Sequence, residues 1–162
     1  DLMKKILFFL IISLFFTSCS SKNNAFKYFE KDDIETKGIH YTKKIDIVKN
    51  EEIDIIFWAT YLNKIDKDIS AENKEVFFVS LYFANSDSQD LENNAYTLLL
   101  NNKESVLLEK VEKDNENFKS LMLKNHWGNY YLVKFDSLEN LTNLRLELTN
   151  QKSSKGILNF EK

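Results

Sequence analysis

The chain has one cysteine, Cys19, and it stands at a position where its thiol could be modified. A basic pair precedes an apolar run over residues 6–16, and two small residues, Thr17 and Ser18, lead into the cysteine. A short basic segment, an apolar core and small residues before a cleavage point are typical of a secretory signal. We therefore expect residues 1–18 to be a signal helix that is cleaved between Ser18 and Cys19.

The sequence Phe16-Thr17-Ser18-Cys19 resembles the bacterial lipobox, Leu-(Ala/Ser/Thr)-(Gly/Ala/Ser)-Cys, with Phe16 in the place of leucine. The resemblance to lipoprotein signal peptides implies that the thiol of Cys19 receives a diacylglyceryl group before the signal is removed. The mature chain would then begin at an acylated Cys19. Two or more acyl chains, at about 0.8 kcal/mol per buried methylene, anchor a protein stably to a membrane.

Two other interpretations of the segment are a retained transmembrane helix and an ordinary secretory signal that has a cysteine by chance. The apolar run over residues 6–16 is shorter than the span of about 20 residues that a bilayer requires. Chance is disfavoured because the only cysteine of the chain occupies the lipidation position. Ser20, rather than aspartate, follows it, which favours the outer membrane over the inner membrane. We expect residues 19–38 to be the lipidated cysteine and a flexible tether.

The composition limits the partners of the domain that follows. The formal net charge is −3, and acidic and basic residues alternate along the chain. This pattern argues against nucleic acid or an anionic lipid surface as the main partner. We expect a membrane contact through the lipid anchor and a second contact with an envelope protein, and we expect no cofactor.

Residues 39–162 are dominated by short β-branched and aromatic runs that polar clusters separate, which is typical of strands. The clearest alternation is residues 143–149, where every second residue is leucine. Residues 52–65 also fit a helical spacing, but their content of Ile, Trp, Tyr and Thr favours a strand. The candidate strands lie near residues 40–48, 52–63, 75–84, 95–101, 104–110, 118–124, 129–136, 143–149 and 155–161.

This spacing of strands predicts an all-β domain, an antiparallel β-sandwich with immunoglobulin-like topology. A small β-barrel is the alternative. The apolar segments 53–62 and 76–83 predict central strands that are covered on both faces. Asn101-Asn102 predicts a tight hairpin, because asparagine tolerates positive φ.

No motif for catalysis or metal binding is present, and we assign no catalytic residue. The three glycines are too far apart for a phosphate-binding loop or a hydrolase elbow. His40 and His126 are the only histidines and have no neighbouring ligand pair. Residues 85–96 resemble a calcium loop but have Asp90 in place of the turn glycine and Tyr96 in place of the final acid.

Three large aromatic residues around a glycine turn, Trp127, Tyr130 and Tyr131, are the candidate partner-binding residues. The competing interpretation is packing, because alternation along a strand sends one of two adjacent residues into the core.

We expect a non-enzymatic envelope lipoprotein that binds or supports another envelope component. The domain is similar to small uncharacterised bacterial lipoproteins with immunoglobulin-like folds. The alternatives are an envelope enzyme that acts on glycan through dispersed carboxylates, and a carrier of a small ligand. Two carboxylates in a cleft would favour the enzyme, an apolar cavity between the sheets the carrier, and an unpaired edge strand binding by strand addition.

Overall fold

The computed structural model describes residues 33–66, 68, 72–122, 127–138, 140–150 and 155–162. Residues 33–40 are helical and are called α1. A 3₁₀ turn, Leu62–Lys64, follows the second strand. The strands are β1 (Thr42–Lys49), β2 (Glu52–Tyr61), β3 (Lys74–Phe83), β4 (Thr97–Leu100), β5 (Lys103–Glu104), β6 (Leu107–Val111), β7 (Asn129–Asp136), β8 (Asn143–Thr149) and β9 (Gly156–Glu161).

The strands form two open antiparallel sheets. The five-stranded sheet A has the order β1-β2-β3-β7-β6, and the four-stranded sheet B has the order β5-β4-β8-β9. Every neighbouring pair is antiparallel. The prediction of an all-β domain with antiparallel sheets is therefore confirmed, and the alternative of a barrel is wrong, because the strands described here do not close on themselves.

The main core lies between the two sheets. In β8 the leucines at positions 144, 146 and 148 are all fully buried, as the alternation predicted. Aromatic rings fill the space around Phe77, which lies 5.1 Å from Tyr61, 6.0 Å from Phe135 and 5.2 Å from Phe160 between ring centroids. These rings come from both sheets, so apolar burial holds the sheets together.

A second, smaller cluster covers the outer face of sheet A. Phe78 stacks between Phe118 and Tyr130, with ring centroids 5.0 and 5.5 Å apart and interplanar angles of 6° and 8°. Because both faces of β3 are covered, nearly all of its residues are buried, as predicted for a central strand. The strand predicted near 118–124 is wrong for residues 118–122, which form turns over this cluster.

Two hairpins use positive φ angles at both turn positions. Asn101 and Asn102 have φ of 48° and 66°, which confirms the predicted turn between β4 and β5. Asn50 and Glu51 have φ of 52° and 68° and join β1 to β2 in the same way. Two-residue turns of this kind match the twist of the strands that they connect.

Two further differences from the predicted boundaries change the assignment of a segment. Residues 104–110 were predicted as one strand, but Glu104 ends β5 in sheet B and Leu107 begins β6 in sheet A, so the chain changes sheets between them. Residues 33–38, which the sequence assigned to the tether, belong to α1. Gly38 of α1 lies against Leu121, because a Cβ at this glycine would stand 2.6 Å from the Leu121 Cδ2.

Sheet A approaches sheet B closely at β1 and β9. A Cβ at Gly156, the first residue of β9, would lie 2.7 Å from the Ile47 Cδ1 and 3.3 Å from the Ile45 Cγ2. This side of the sandwich is therefore closed by β1 side chains packed on the β9 backbone. Among the residues described, no helix has the length and apolar character that a membrane span requires.

Candidate functional site

Ser18 and Cys19, the predicted cleavage and lipidation residues, lie outside the residues that the structure describes. The signal peptide and the lipid anchor therefore stay predictions from the sequence.

Of the three predicted partner-binding aromatics, the structure exposes one and buries two. Trp127 is exposed, with 72% of its surface accessible, whereas Tyr130 and Tyr131 are 2% and 5% exposed. The two tyrosines are neighbours in β7 and so face opposite sides of sheet A. Tyr130 packs on Phe78 in the outer cluster, and the hydroxyl of Tyr131 accepts a hydrogen bond from the Leu91 N–H at 3.0 Å.

A buried carboxylate, Glu75, is the centre of the most chemically suggestive cluster. Its Oε2 accepts a hydrogen bond from the Tyr61 hydroxyl at 2.5 Å, and its Oε1 pairs with the Lys162 Nζ at 2.5 Å. The Ser137 hydroxyl lies 3.3 Å from the same Oε1. Only 1% of Glu75 is exposed, so each of these partners offsets the cost of burying a charge.

The polar groups of the Glu75 cluster bond to one another. Burial, followed by the hydrogen bond to Glu75, raises the pKa of Tyr61 well above its ordinary value, so the phenol stays protonated. Both carboxylate oxygens of Glu75 are already engaged. The cluster ties the end of β9, through Lys162, to β2 and β3 at one end of the core.

The other buried carboxylate, Glu147, lies in sheet B. It pairs with Arg145 at 2.5 Å and with Lys155 at 3.5 Å between nitrogen and oxygen. The two buried acids, Glu75 and Glu147, thus belong to different sheets and each has its own cations. Within the part of the chain that the structure covers, no group of three or more His, Cys, Asp or Glu residues is placed to hold a metal ion.

The segment that resembled a calcium loop is held by its own hydrogen bonds. The Asn94 side-chain amide donates to the carbonyls of Ser88 and Asp90 at 2.8 and 2.7 Å. The Asp90 Oδ1 accepts from the Lys110 ammonium at 2.6 Å and from the Asn129 amide at 3.0 Å. Asp90 therefore attaches the loop to β6 through Lys110 and to β7 through Asn129.

An exposed apolar edge stands at the end of sheet A. Val106, Leu107 and Leu108 are 53%, 38% and 36% exposed, and β6 pairs with β7 on one side only. We call Leu107 and Leu108, which begin β6, together with Val106 just before them, the β6 edge. An edge strand has unpaired backbone N–H and C=O groups, and apolar side chains beside them favour pairing with another strand.

The other sheet ends are protected. In β1 the lysines at positions 43, 44 and 49 are exposed, the register shifts between Ile47 and Val48, and β9 packs alongside. In sheet B, β5 is only two residues long, and both are charged. Lysine, bulges and short strands are the usual means of blocking an edge. In β6 the lysine, Lys110, pairs with Asp90 and lies beyond the apolar residues 106–108.

A groove of about 290 Å³ runs beside the β6 edge on the core side of the strand. Leu108, Lys110 and Tyr131 form one wall, and residues 90–93 form the other. Burial raises the pKa of the Tyr131 hydroxyl, an effect that the hydrogen bond from Leu91 opposes. Leu108, an exposed residue of the β6 edge, thus lines this groove.

Sequence reasoning missed the β6 edge although a signal was present. Alternation buries every second residue of a strand, so the consecutive apolar residues at positions 106–108 cannot all face one core. The sequence pattern instead predicts one uninterrupted strand over 104–110.

These features define the described part of the chain as a two-sheet antiparallel β-sandwich in which the end strand β6 exposes apolar residues. Comparison with protein-family models, with curated protein sequences and with solved structures finds no match to this chain.

Proposed function

We propose that the chain is a lipid-anchored bacterial envelope protein whose β-sandwich binds another envelope protein at the β6 edge and catalyses no reaction. The exposure of Val106, Leu107 and Leu108 on an end strand is the observation that carries the proposal. The lipid anchor is supported by the resemblance of residues 16–19 to the lipobox. Ser20 after the cysteine favours the outer membrane.

We further propose immunoglobulin-like connectivity for the sandwich. Immunoglobulin domains place strands A, B, E and D in one sheet and C, F and G in the other, and variable domains add C′. With β1 set aside, the order β2-β3-β7-β6 has the chain order of A-B-E-D. Likewise, β5-β4-β8-β9 has the chain order of C′-C-F-G, which supports the assignment.

Packing favours a binding protein over a carrier or an enzyme. A carrier would hold its ligand between the sheets, where Phe57, Phe77 and Leu144 are fully buried and the rings of both sheets are in contact. A glycan hydrolase would need two carboxylates across a cleft, about 5 to 10 Å apart. The buried acids Glu75 and Glu147 lie in separate sheets, and each is engaged in its own ion pairs.

Strand addition is the binding mode that the β6 edge suits. In this mode an extended segment of the partner pairs with an exposed sheet edge, and backbone hydrogen bonds supply affinity. Side chains on alternate positions then enter neighbouring pockets and supply specificity. Leu107 lies beside Lys134 on the outer face of sheet A, and Leu108 lies beside Val133 on the core side.

The test is site-specific photo-crosslinking in living cells, with the photoreactive residue at position 107. We expect a crosslink to one envelope protein that Leu108→Lys reduces at least tenfold, because an exposed edge lysine blocks pairing. The matched control is Ile53→Lys, which also charges an exposed apolar residue, but on β2, which has strands on both sides. Equal loss with both variants, or no crosslink, would contradict the proposal.

The anchor is tested by intact mass and by separation of the inner and outer membranes. We expect a mature chain that begins at Cys19, carries acyl groups and is found in the outer membrane fraction. Cys19→Ala should leave the chain unacylated and absent from that fraction. An unlipidated wild-type product would contradict the anchor and leave binding at the β6 edge to be judged by the crosslink.

A further inference from the structure

We infer that the partner segment at the β6 edge is an apolar strand that carries lysine or arginine, so that a cation lies opposite Glu109. The inference rests on the proposed function and specifies the partner. Its basis is the distribution of paired and unpaired charges along β6 and the groove beside it.

Among the described residues, Lys110 and Lys134 near the β6 edge have ion-pair partners, whereas the nearby acids Glu109 and Glu92 have none. Lys110 pairs with Asp90 at 2.6 Å, and Lys134 pairs with Glu72. Glu109 and Glu92 are exposed, and within the described parts of the chain neither makes an ion pair. The free charge that an incoming strand meets is therefore negative.

The two acids lie where the side chains of an added strand would point. Glu109 shares the outer face of β6 with Leu107, since the two are separated by two positions. Glu92 lines the groove on the other face, together with Leu108. Directly opposed side chains in an antiparallel pair approach within about 5.5 Å between Cβ atoms, so a cation opposite Glu109 would be in range of its carboxylate.

The apolar residues of the β6 edge determine which other residues the partner strand needs. Val106, Leu107 and Leu108 are consecutive, so apolar side chains are favoured on both faces of the incoming strand at that end. The partner strand therefore has apolar residues at one end and basic residues at the other. A second copy of this chain suits the edge less well, because it would bring the same unpaired Glu109 and Glu92 to the junction.

The experiment measures peptide binding to the full chain in detergent by fluorescence anisotropy. One labelled peptide is Thr-Lys-Thr-Lys-Val-Val-Val-Thr, which has basic residues in one half and apolar residues in the other, and the second has glutamate in place of both lysines. We expect the lysine peptide to bind about fivefold more tightly than the glutamate peptide, as one favourable cross-strand charge pair would give. Leu108→Lys should weaken the binding of both peptides.

A charge swap shows whether Glu109 is responsible. Glu109→Lys should reverse the order, so that the glutamate peptide binds more tightly. The matched control is Glu52→Lys, which makes the same change at an exposed site on β2 and should leave the order as in the wild type.

Equal affinity for the two peptides, or binding of neither, overturns the inference. A dimer in analytical ultracentrifugation that Leu108→Lys dissociates would also overturn it, because a second copy would then occupy the edge. The crosslink at position 107 distinguishes this failure from failure of the proposed function. A crosslink without charge preference leaves the function standing, whereas absence of the crosslink overturns both.

Discussion

The Tyr61 hydroxyl donates a hydrogen bond to the buried carboxylate of Glu75. Ionisation of this tyrosine would therefore place two negative charges in contact. Its folded-state pKa is raised, first by burial and then by Glu75. A group whose pKa is raised on folding contributes stability that is complete below its unfolded-state pKa. This stability is lost as the pH rises above that unfolded-state value. For tyrosine the loss therefore starts near pH 10.

We predict that the wild-type protein loses about 1.4 kcal/mol of unfolding free energy per pH unit above about pH 10, relative to Tyr61→Phe. At neutral pH, Tyr61→Phe should be less stable by about 1 to 2 kcal/mol, because Glu75 loses a hydrogen bond. Urea unfolding from pH 7 to 11.5 measures both effects, and data below pH 9 serve as the baseline. Parallel curves for the two proteins above pH 10 would contradict the assignment.

Glu51 is a second residue whose conformation leads to a prediction. It has φ of 68° at the second position of the β1–β2 turn, where glycine is favoured. We predict that Glu51→Gly raises the unfolding free energy by about 1 kcal/mol, since a left-handed conformation costs about that much for other residues. Glu51→Ala is the control and should give no gain, because alanine also has a Cβ. Urea unfolding of both variants at neutral pH measures the difference.

At the scale of elements, the contact between β1 and β9 leaves no room for a side chain at Gly156. Gly156→Ala would place a Cβ within 2.7 Å of the Ile47 Cδ1, so we predict a loss of about 1 to 3 kcal/mol from overpacking. Adding Ile47→Val removes the opposing methyl and should recover part of that loss. The double-mutant cycle measured by urea unfolding isolates the coupling. Additive losses would show that the strain lies elsewhere.

The elements also differ in how well their edges are protected. β1 carries exposed lysines and β5 is two residues long, whereas β6 presents apolar residues at positions 106–108. An edge with this character is usually covered or blocked in a protein that works alone. Its exposure in this sandwich is what makes β6 the element on which we base the proposed function.

At the scale of the whole molecule, the two hydrophobic clusters on the two faces of sheet A should differ in stability. We predict that Phe77→Ala in the inter-sheet core costs about 3 to 5 kcal/mol. Phe118→Ala on the outer face should cost about 1 to 2 kcal/mol, because Phe118 is only partly buried.

Native-state hydrogen exchange distinguishes the two variants by which amides they expose. Phe118→Ala should speed exchange in residues 112–122 while β3 and β8 keep their protection, since local opening follows local contacts. Phe77→Ala should lower protection in both sheets. Uniform loss with Phe118→Ala would show that the outer cluster and the core unfold together.

Much of the fold could be predicted from the sequence because strands and tight turns are local signals. The alternating leucines of β8 and the Asn101-Asn102 turn were read correctly, since side-chain alternation and tolerance of positive φ depend on neighbouring residues alone. The strand predicted near 118–124 is wrong for residues 118–122, because Phe118, Leu121 and Met122 form turns that pack on the cluster around Phe78, which is distant in the chain.

The candidate site likewise has some features that the sequence determines and others that only the fold determines. By itself, the sequence determined the all-β class, the prediction of a lipid anchor at Cys19 and the absence of a recognisable catalytic motif, because each depends on local spacing or residue type. Only the tertiary structure decided that Tyr130 and Tyr131 are buried and that residues 106–108 lie on an unpaired edge. Burial and edge position depend on which strands become neighbours, and contacts between distant segments determine that arrangement.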